Sequence, residues 1–206
     1  MFTSIRGLFA GAMLSAMLFA APVAASSIDF TNAAFAPVSG PTSTPIGAAE
    51  FCKAHRGDCG PNARSVEAVT LTETSWQLLL AVNEHVNTTV QPVTDEALYK
   101  VAEYWTYPAG EGDCEDFALE KRRLLIANGW DASTLMMTVV RQANGEGHAV
   151  LMVRTDRGDL VLDNQDGRVL LWKDTPYEFV KRQSQTDPRK WVGLTDFRAP
   201  LYTAGH

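Results

Sequence analysis

The chain has 206 residues, a formal net charge of −6 and 46% hydrophobic residues, with a sequence pI ≈ 5.2. That length suits one domain with a sizeable core. The acidic balance, with no basic cluster larger than Lys121-Arg122-Arg123, excludes a nucleic-acid-binding protein.

Residues 1–25 read as a secretory signal peptide. Arg6 and the amino terminus supply positive charge, residues 8–20 form a short apolar stretch, and Val23-Ala24-Ala25 offers a small-residue cleavage site before Ser26. The apolar stretch is short for a membrane span and is followed by Pro22. A periplasmic or secreted protein of about 180 residues is the expectation after cleavage. Residues 26–50 are rich in Ser, Thr, Pro, Ala and Gly and read as an extended leader. Counted with the loop that follows, this leader spans residues 26–65, ahead of a domain at 66–206.

Cys52 and Cys59 bracket a short loop. In an oxidising compartment these two should pair, and closing so small a loop stabilises by roughly 2–3 kcal/mol on the chain-entropy account. The alternative is a metal site from Cys52, His55 and Cys59, which lacks an obvious fourth ligand. Cys114 is left over, and an odd cysteine in an exported chain invites a chemical reading.

Residues 66–74 read as a short strand or extended entry. A helix follows at about residues 75–87, with Trp76, Leu79, Leu80, Asn83 and Val86 on one face. Thr94 is placed to cap a second helix running to about Trp105, with Pro108 and Gly110 beyond it. A third helix begins at Cys114 and stops near Asn128-Gly129, its apolar stripe including Phe117, Ala118, Leu124 and Leu125. The period then changes from helical to alternating. Residues 135–141, 148–154, 160–162 and 169–172 read as strands, with turn signals at 156–159 and 164–167. Residues 176–185 read as a last helix or irregular segment, and Trp191 lies in a stretch that packs back on the core. Helices first and an antiparallel meander afterwards give an α+β fold.

Three residues carry the chemistry. Cys114 sits at or just before a helix N-terminus, where free N–H groups and the positive dipole end favour thiolate. His148 opens one strand, and Asp163 ends the next. These are the parts of a nucleophile, a general base and an orienting carboxylate. A two-residue loop at the 156–159 turn gives facing residues an odd index sum and puts His148 and Asp163 on one face of the sheet; a three-residue loop puts them on opposite faces. An oxyanion donor is also required. The Cys114 N–H is one candidate, with a side chain such as Trp105 or Asn87 as the other.

Gly112-Asp113-Cys114-Glu115-Asp116-Phe117-Ala118-Leu119-Glu120-Lys121, Gly147-His148-Ala149-Val150-Leu151 and Leu162-Asp163-Asn164 resemble the bacterial transglutaminase-like cysteine proteinases, the family of the LapG-type periplasmic proteases. Tyr104-Trp105 and Tyr177 fit the same pattern, and the resemblance covers roughly residues 70–195. It implies a papain-like or transglutaminase-like core, with Cys114 as nucleophile, His148 as base and Asp163 as orienter. It further implies a calcium-dependent enzyme that cleaves a surface adhesin at an alanine pair and is restrained by an inner-membrane receptor responding to cyclic di-GMP.

Asp113 and Glu115 flank the nucleophile, and nearby carboxylates disfavour a thiolate. The resemblance implies calcium at these two positions, with Glu103 or Asp95 to complete the shell. From the residues alone, Asp113 as a helix cap with Glu115 and Asp116 as complements of the helix dipole is the favoured reading. The expected function is an exported cysteine endopeptidase working through a thioester. Two rivals stay open: acyl transfer to an amine by the same thioester, and a non-catalytic binding protein on a peptidase scaffold.

Overall fold

The computed structural model describes residues 33–62 and 65–197; the expected signal peptide lies outside them. Where an extended leader was expected, the chain builds part of the domain. Val38–Thr42 forms strand β1 and Ile46–Ala54 forms helix α1. Pro45 enters the helix already extended, at φ −56° and ψ 144°, and Ala48 and Phe51 recur one turn apart to bury one face. The small, polar composition of this segment concealed that pattern.

Helix α2 spans Glu73–Thr89, longer at both ends than expected. Thr72 caps it in a reciprocal box with Ser75, which satisfies two otherwise orphaned N–H groups and contributes about 1 kcal/mol. Its buried face carries Leu79, Val82, Asn83 and Val86. The next helix is far shorter than expected: α3 is confined to Asp95–Tyr99. Lys100 turns left-handed at φ 60° and ends it. The returning chain is then captured by the Asp95 carboxylate, which accepts from the Tyr104 N–H. Helix α4 spans Cys114–Ala127 and exits through Asn128 into Gly129, at φ 89°.

Two short strands, β2 (Gln91–Pro92) and β3 (Glu111–Gly112), pair in parallel. They bring the α3 turn beside the start of α4. Gly112 is required there: a Cβ on it would lie 2.6 Å from Asp116 Oδ2.

The meander follows as expected, as β4 (Leu135–Arg141), β5 (Gly147–Thr155), β6 (Gly158–Leu162) and β7 (Leu170–Leu171). Residues 178–183, expected as helix or irregular chain, form strand β8 (Glu178–Gln183) on the far side of β4. Trp191–Leu194 forms β9. The seven-stranded sheet runs β1-β9-β8-β4-β5-β6-β7, with every pairing antiparallel.

Both faces of the central strands are buried. Leu135, Met137, Leu151, Val153, Leu160 and Leu162 meet the helices. Met136, Val140, Val150, Met152, Val161 and Phe179 form a second cluster with Trp172 and Leu194. Alternate positions along each strand thus divide between two cores, each large side chain contributing roughly 1.5–3 kcal/mol. Among the described residues no helix is long and apolar enough to cross a membrane.

Candidate active site

The β5–β6 hairpin decides whether His148 and Asp163 can meet. Thr155 pairs with Gly158 and Leu151 with Leu162, so the loop holds two residues and the index sum is odd. Both side chains therefore share a face. His148 Nε2 lies 2.8 Å from Asp163 Oδ1, and both side chains are buried. With the carboxylate ionised, Nε2 carries the proton and Nδ1 is left as the acceptor. The amide of Gln165 approaches that nitrogen at 3.5 Å.

Helix α4 packs on β5, and their ends bring in the cysteine. The Ala149 N–H, one residue beyond His148, donates to Cys114 Sγ at 3.4 Å. The thiol itself points at Glu115 Oε2, 3.2 Å away. Burial pushes this thiol well above the ordinary cysteine range; the Glu115 and Asp113 charges push the same way, opposed by the Ala149 N–H. The dipole of α4 alone does not produce a thiolate against that burial and charge.

Asp163 is held in the opposite state. Burial raises its carboxyl, yet His148, the Gln165 N–H at 3.0 Å and the Tyr177 hydroxyl together keep it below the ordinary range. Its carbonyl accepts from Asn87 Nδ2 at 2.8 Å. That bond uses one of the two Asn87 amide protons and leaves the other free to donate. Trp105 is removed as a donor, because its Nε1 donates to Glu103 Oε1 at 2.6 Å. The Cys114 N–H, in the first turn of α4, stays a candidate beside Asn87, since such groups have no acceptor within the helix.

The acidic flank is larger than the sequence indicated. Asp113 and Glu115 lie beside the thiol, and Asp95 and Asp116 join Asp113 in a second group whose carboxylate oxygens fall within 4.8 Å of one another. Asp95 enters because its N–H donates to Asp113 Oδ2 at 3.3 Å. Glu103, the other proposed shell member, is turned to Trp105. Asp116 was read only as a dipole complement; it is fully buried, accepts from the Thr106 N–H at 2.8 Å through Oδ1 and leaves Oδ2 without a partner. Asp95 Oδ1 and Asp113 Oδ1 are buried acceptors without donors too. Burial, reinforced by mutual repulsion, pushes Asp95 and Glu115 above their ordinary range and Asp116 to about 7. Three orphaned carboxylate oxygens in one place fit a hard cation with oxygen ligands.

The remaining cysteines are settled simply. Cys52 and Cys59 form a disulfide, and His55 stacks on Phe51 at 4.4 Å. The alternative of a metal site there is overturned, because both thiolates are consumed in the bond. Cys114 is the free cysteine among the described residues.

Among solved structures, the calcium-bound LapG of Legionella pneumophila is similar to this chain, at a TM-score of 0.51 and 24% identity over 63% of this chain and 75% of that one. A second structure of LapG from that organism gives a TM-score of 0.46 at 27% identity, covering 52% of this chain and 63% of that one. An EGTA-treated form gives 0.48 at 24% identity, covering 61% and 69%. The first of these shows a shared fold. No curated protein sequence matches. The sequence profile of the bacterial transglutaminase-like cysteine proteinases matches residues 38–199, a span that takes in the seven-stranded sheet and helices α1 to α4 of the described residues, and the chain belongs to that family of cysteine peptidases.

Proposed function

We propose that the protein is an exported cysteine endopeptidase of the LapG type in which Cys114 is the nucleophile, His148 the general base and Asp163 the orienting carboxylate. The observation that carries this reading is the 2.8 Å His148–Asp163 pair set one residue from the N–H that contacts Cys114 Sγ. In the reaction, Nδ1 of His148 takes the thiol proton as sulfur attacks the scissile carbonyl. The tetrahedral oxyanion is received by the Cys114 N–H. Collapse forms a thioester, and His148 returns its proton to the departing amine. Water, deprotonated by the same imidazole, then releases the acid.

Asp113 and Glu115, with Asp95 and Asp116, would hold a calcium ion. Three unpartnered carboxylate oxygens and the calcium-bound state of the Legionella pneumophila fold relative support this. When bound, the ion would offset the carboxylate charge that adds to burial in raising the thiol. Residues 1–25 serve as the cleaved leader to the periplasm, and the chain from Val38 onward forms the peptidase domain. The substrate class is a surface adhesin cut at an alanine pair, under an inner-membrane receptor.

The test is cleavage of a quenched fluorogenic peptide with a central Ala-Ala pair. Cys114→Ala and His148→Ala should each lose at least about 10³-fold in kcat/KM while keeping the wild-type circular dichroism spectrum. A folded Cys114→Ala variant with wild-type turnover would rule out the nucleophile. Transfer of the acyl group to an added amine in preference to water would reassign the enzyme to acyl transfer.

A further inference from the structure

The polar groups packed around Asp163 include one that the reaction does not yet use. We propose that Tyr177 is a positioning residue of this peptidase, fixing Asp163 from the side opposite His148 and thereby setting the protonation of the imidazole. The inference rests on the reading of Cys114, His148 and Asp163 as a triad.

The geometry has three parts. Asp163 Oδ1 is taken by His148 Nε2 and the Gln165 N–H, at 2.8 and 3.0 Å. Oδ2 receives the Tyr177 hydroxyl. The tyrosine ring also stands 5.4 Å from the imidazole, tilted by 56°. Donors on both oxygens leave the carboxylate no freedom to rotate, so Nε2–H stays bonded to Oδ1 and Nδ1 is left as the acceptor.

The tyrosine is itself firmly placed. It precedes β8, behind a turn in which Thr175 bonds back to the Trp172 carbonyl through both its N–H, at 3.3 Å, and its Oγ1, at 2.8 Å. Phe179, two residues on, packs edge-on against Trp172 at 5.5 Å. The phenol is buried, and burial and the Asp163 charge hold it well above its ordinary range, so it remains a donor throughout the working range of pH.

Removing the hydroxyl would leave Oδ2 a buried acceptor without a donor, in a carboxylate that is 3% exposed. Such a carboxylate is a stronger base and draws the imidazole toward its charged form. The other charged or titratable groups whose fields reach this centre are Lys121 and Cys114 from α4 and Asp166 from the loop after β6. All three are unchanged by substitution at 177.

The experiment compares Tyr177→Phe, Asp163→Asn and the double variant of the full chain in calcium, with the Ala-Ala peptide as substrate. Tyr177→Phe should lower kcat about tenfold with KM unchanged, and move the imidazole limb of the kcat/KM profile up by roughly half a pH unit. In the Asp163→Asn background it should have no further effect on kcat. Fluorotyrosine at 177, a stronger donor of the same shape, should move the limb the other way, and this readout stands even where Tyr177→Phe folds poorly. An unmoved limb in both 177 variants, while Asp163→Asn is slow, overturns the role of Tyr177 and leaves the triad intact. Full activity in Asp163→Asn overturns the triad reading and this inference with it.

Discussion

Two groups of carboxylates lie at the candidate active site, and the fold treats them oppositely. Asp163 is buried and yet stays ionised, because three donors from its own chain reach it. Asp95, Asp113, Glu115 and Asp116 lie just across the thiol, and three of their oxygens have no donor at all. Buried carboxylates occur in both places; what differs is the supply of hydrogen-bond donors and the repulsion among the clustered acids. The side of the base is complete in the protein itself. The side of the thiol is left with carboxylate oxygens without donors, which a bound cation would satisfy.

Calcium removal is the largest expected break in this comparison. EGTA should cut peptide turnover by at least about 100-fold and lower the melting temperature, with Ca²⁺ restoring both and Mg²⁺ doing so poorly. Glu115→Ala should mimic the chelator. Equal turnover and melting with and without EGTA, after exhaustive dialysis, would reduce the four acids to helix-end groups.

Asp163 should sharpen the contrast through pH. Its folded-state pKa is depressed below the ordinary 3.8, so its contribution to stability is fully present above that value and is lost as pH falls through the folded pKa. The stability gap between wild type and Asp163→Asn should therefore close as pH falls below about 4. Denaturant unfolding at a series of pH values measures this, and a gap that widens on acidification would show the sign to be wrong.

The smallest effect concerns Lys121, fully buried on α4 with the Asp163 charge its favourable partner. Burial lowers its pKa from 10.5 to about 7, more than Asp163 restores. Between those values the unfolded chain holds the proton and the folded chain does not, so this lysine's cost is full below about pH 7 and fades as pH rises toward 10.5. Lys121→Met should raise the melting temperature by about 5 °C at pH 6, and by less at pH 9. A variant less stable than wild type at pH 6 would show that the ammonium is better satisfied than its burial implies.

Much of this was legible in the residues. Strand β4 and the start of α4 fall where periodicity and the glycine before the cysteine placed them, because local pattern and tertiary environment agree there. His148 and Asp163 were legible as a pair up to one ambiguity, the loop length at 156–159. Helix α3 and strand β8 were misread for related reasons. The pattern from Thr94 to Trp105 is helical, but the Asp95 carboxylate binds the Tyr104 N–H and folds the chain back. The segment at 178–183 carries a mixed pattern, and hydrogen bonds to β4 decide it.

By itself the sequence marked the candidate residues: a lone cysteine at a helix start, a histidine and an aspartate at strand ends, two cysteines close enough to pair. Those are matters of residue type, spacing and local propensity. Only the tertiary structure decided their states. Asp116 joined the acidic group, the thiol turned to Glu115 rather than to the imidazole, and the Tyr177 hydroxyl reached Asp163 because elements distant in sequence packed together. Protonation depends on burial and on which donors arrive, and both are products of the assembled core.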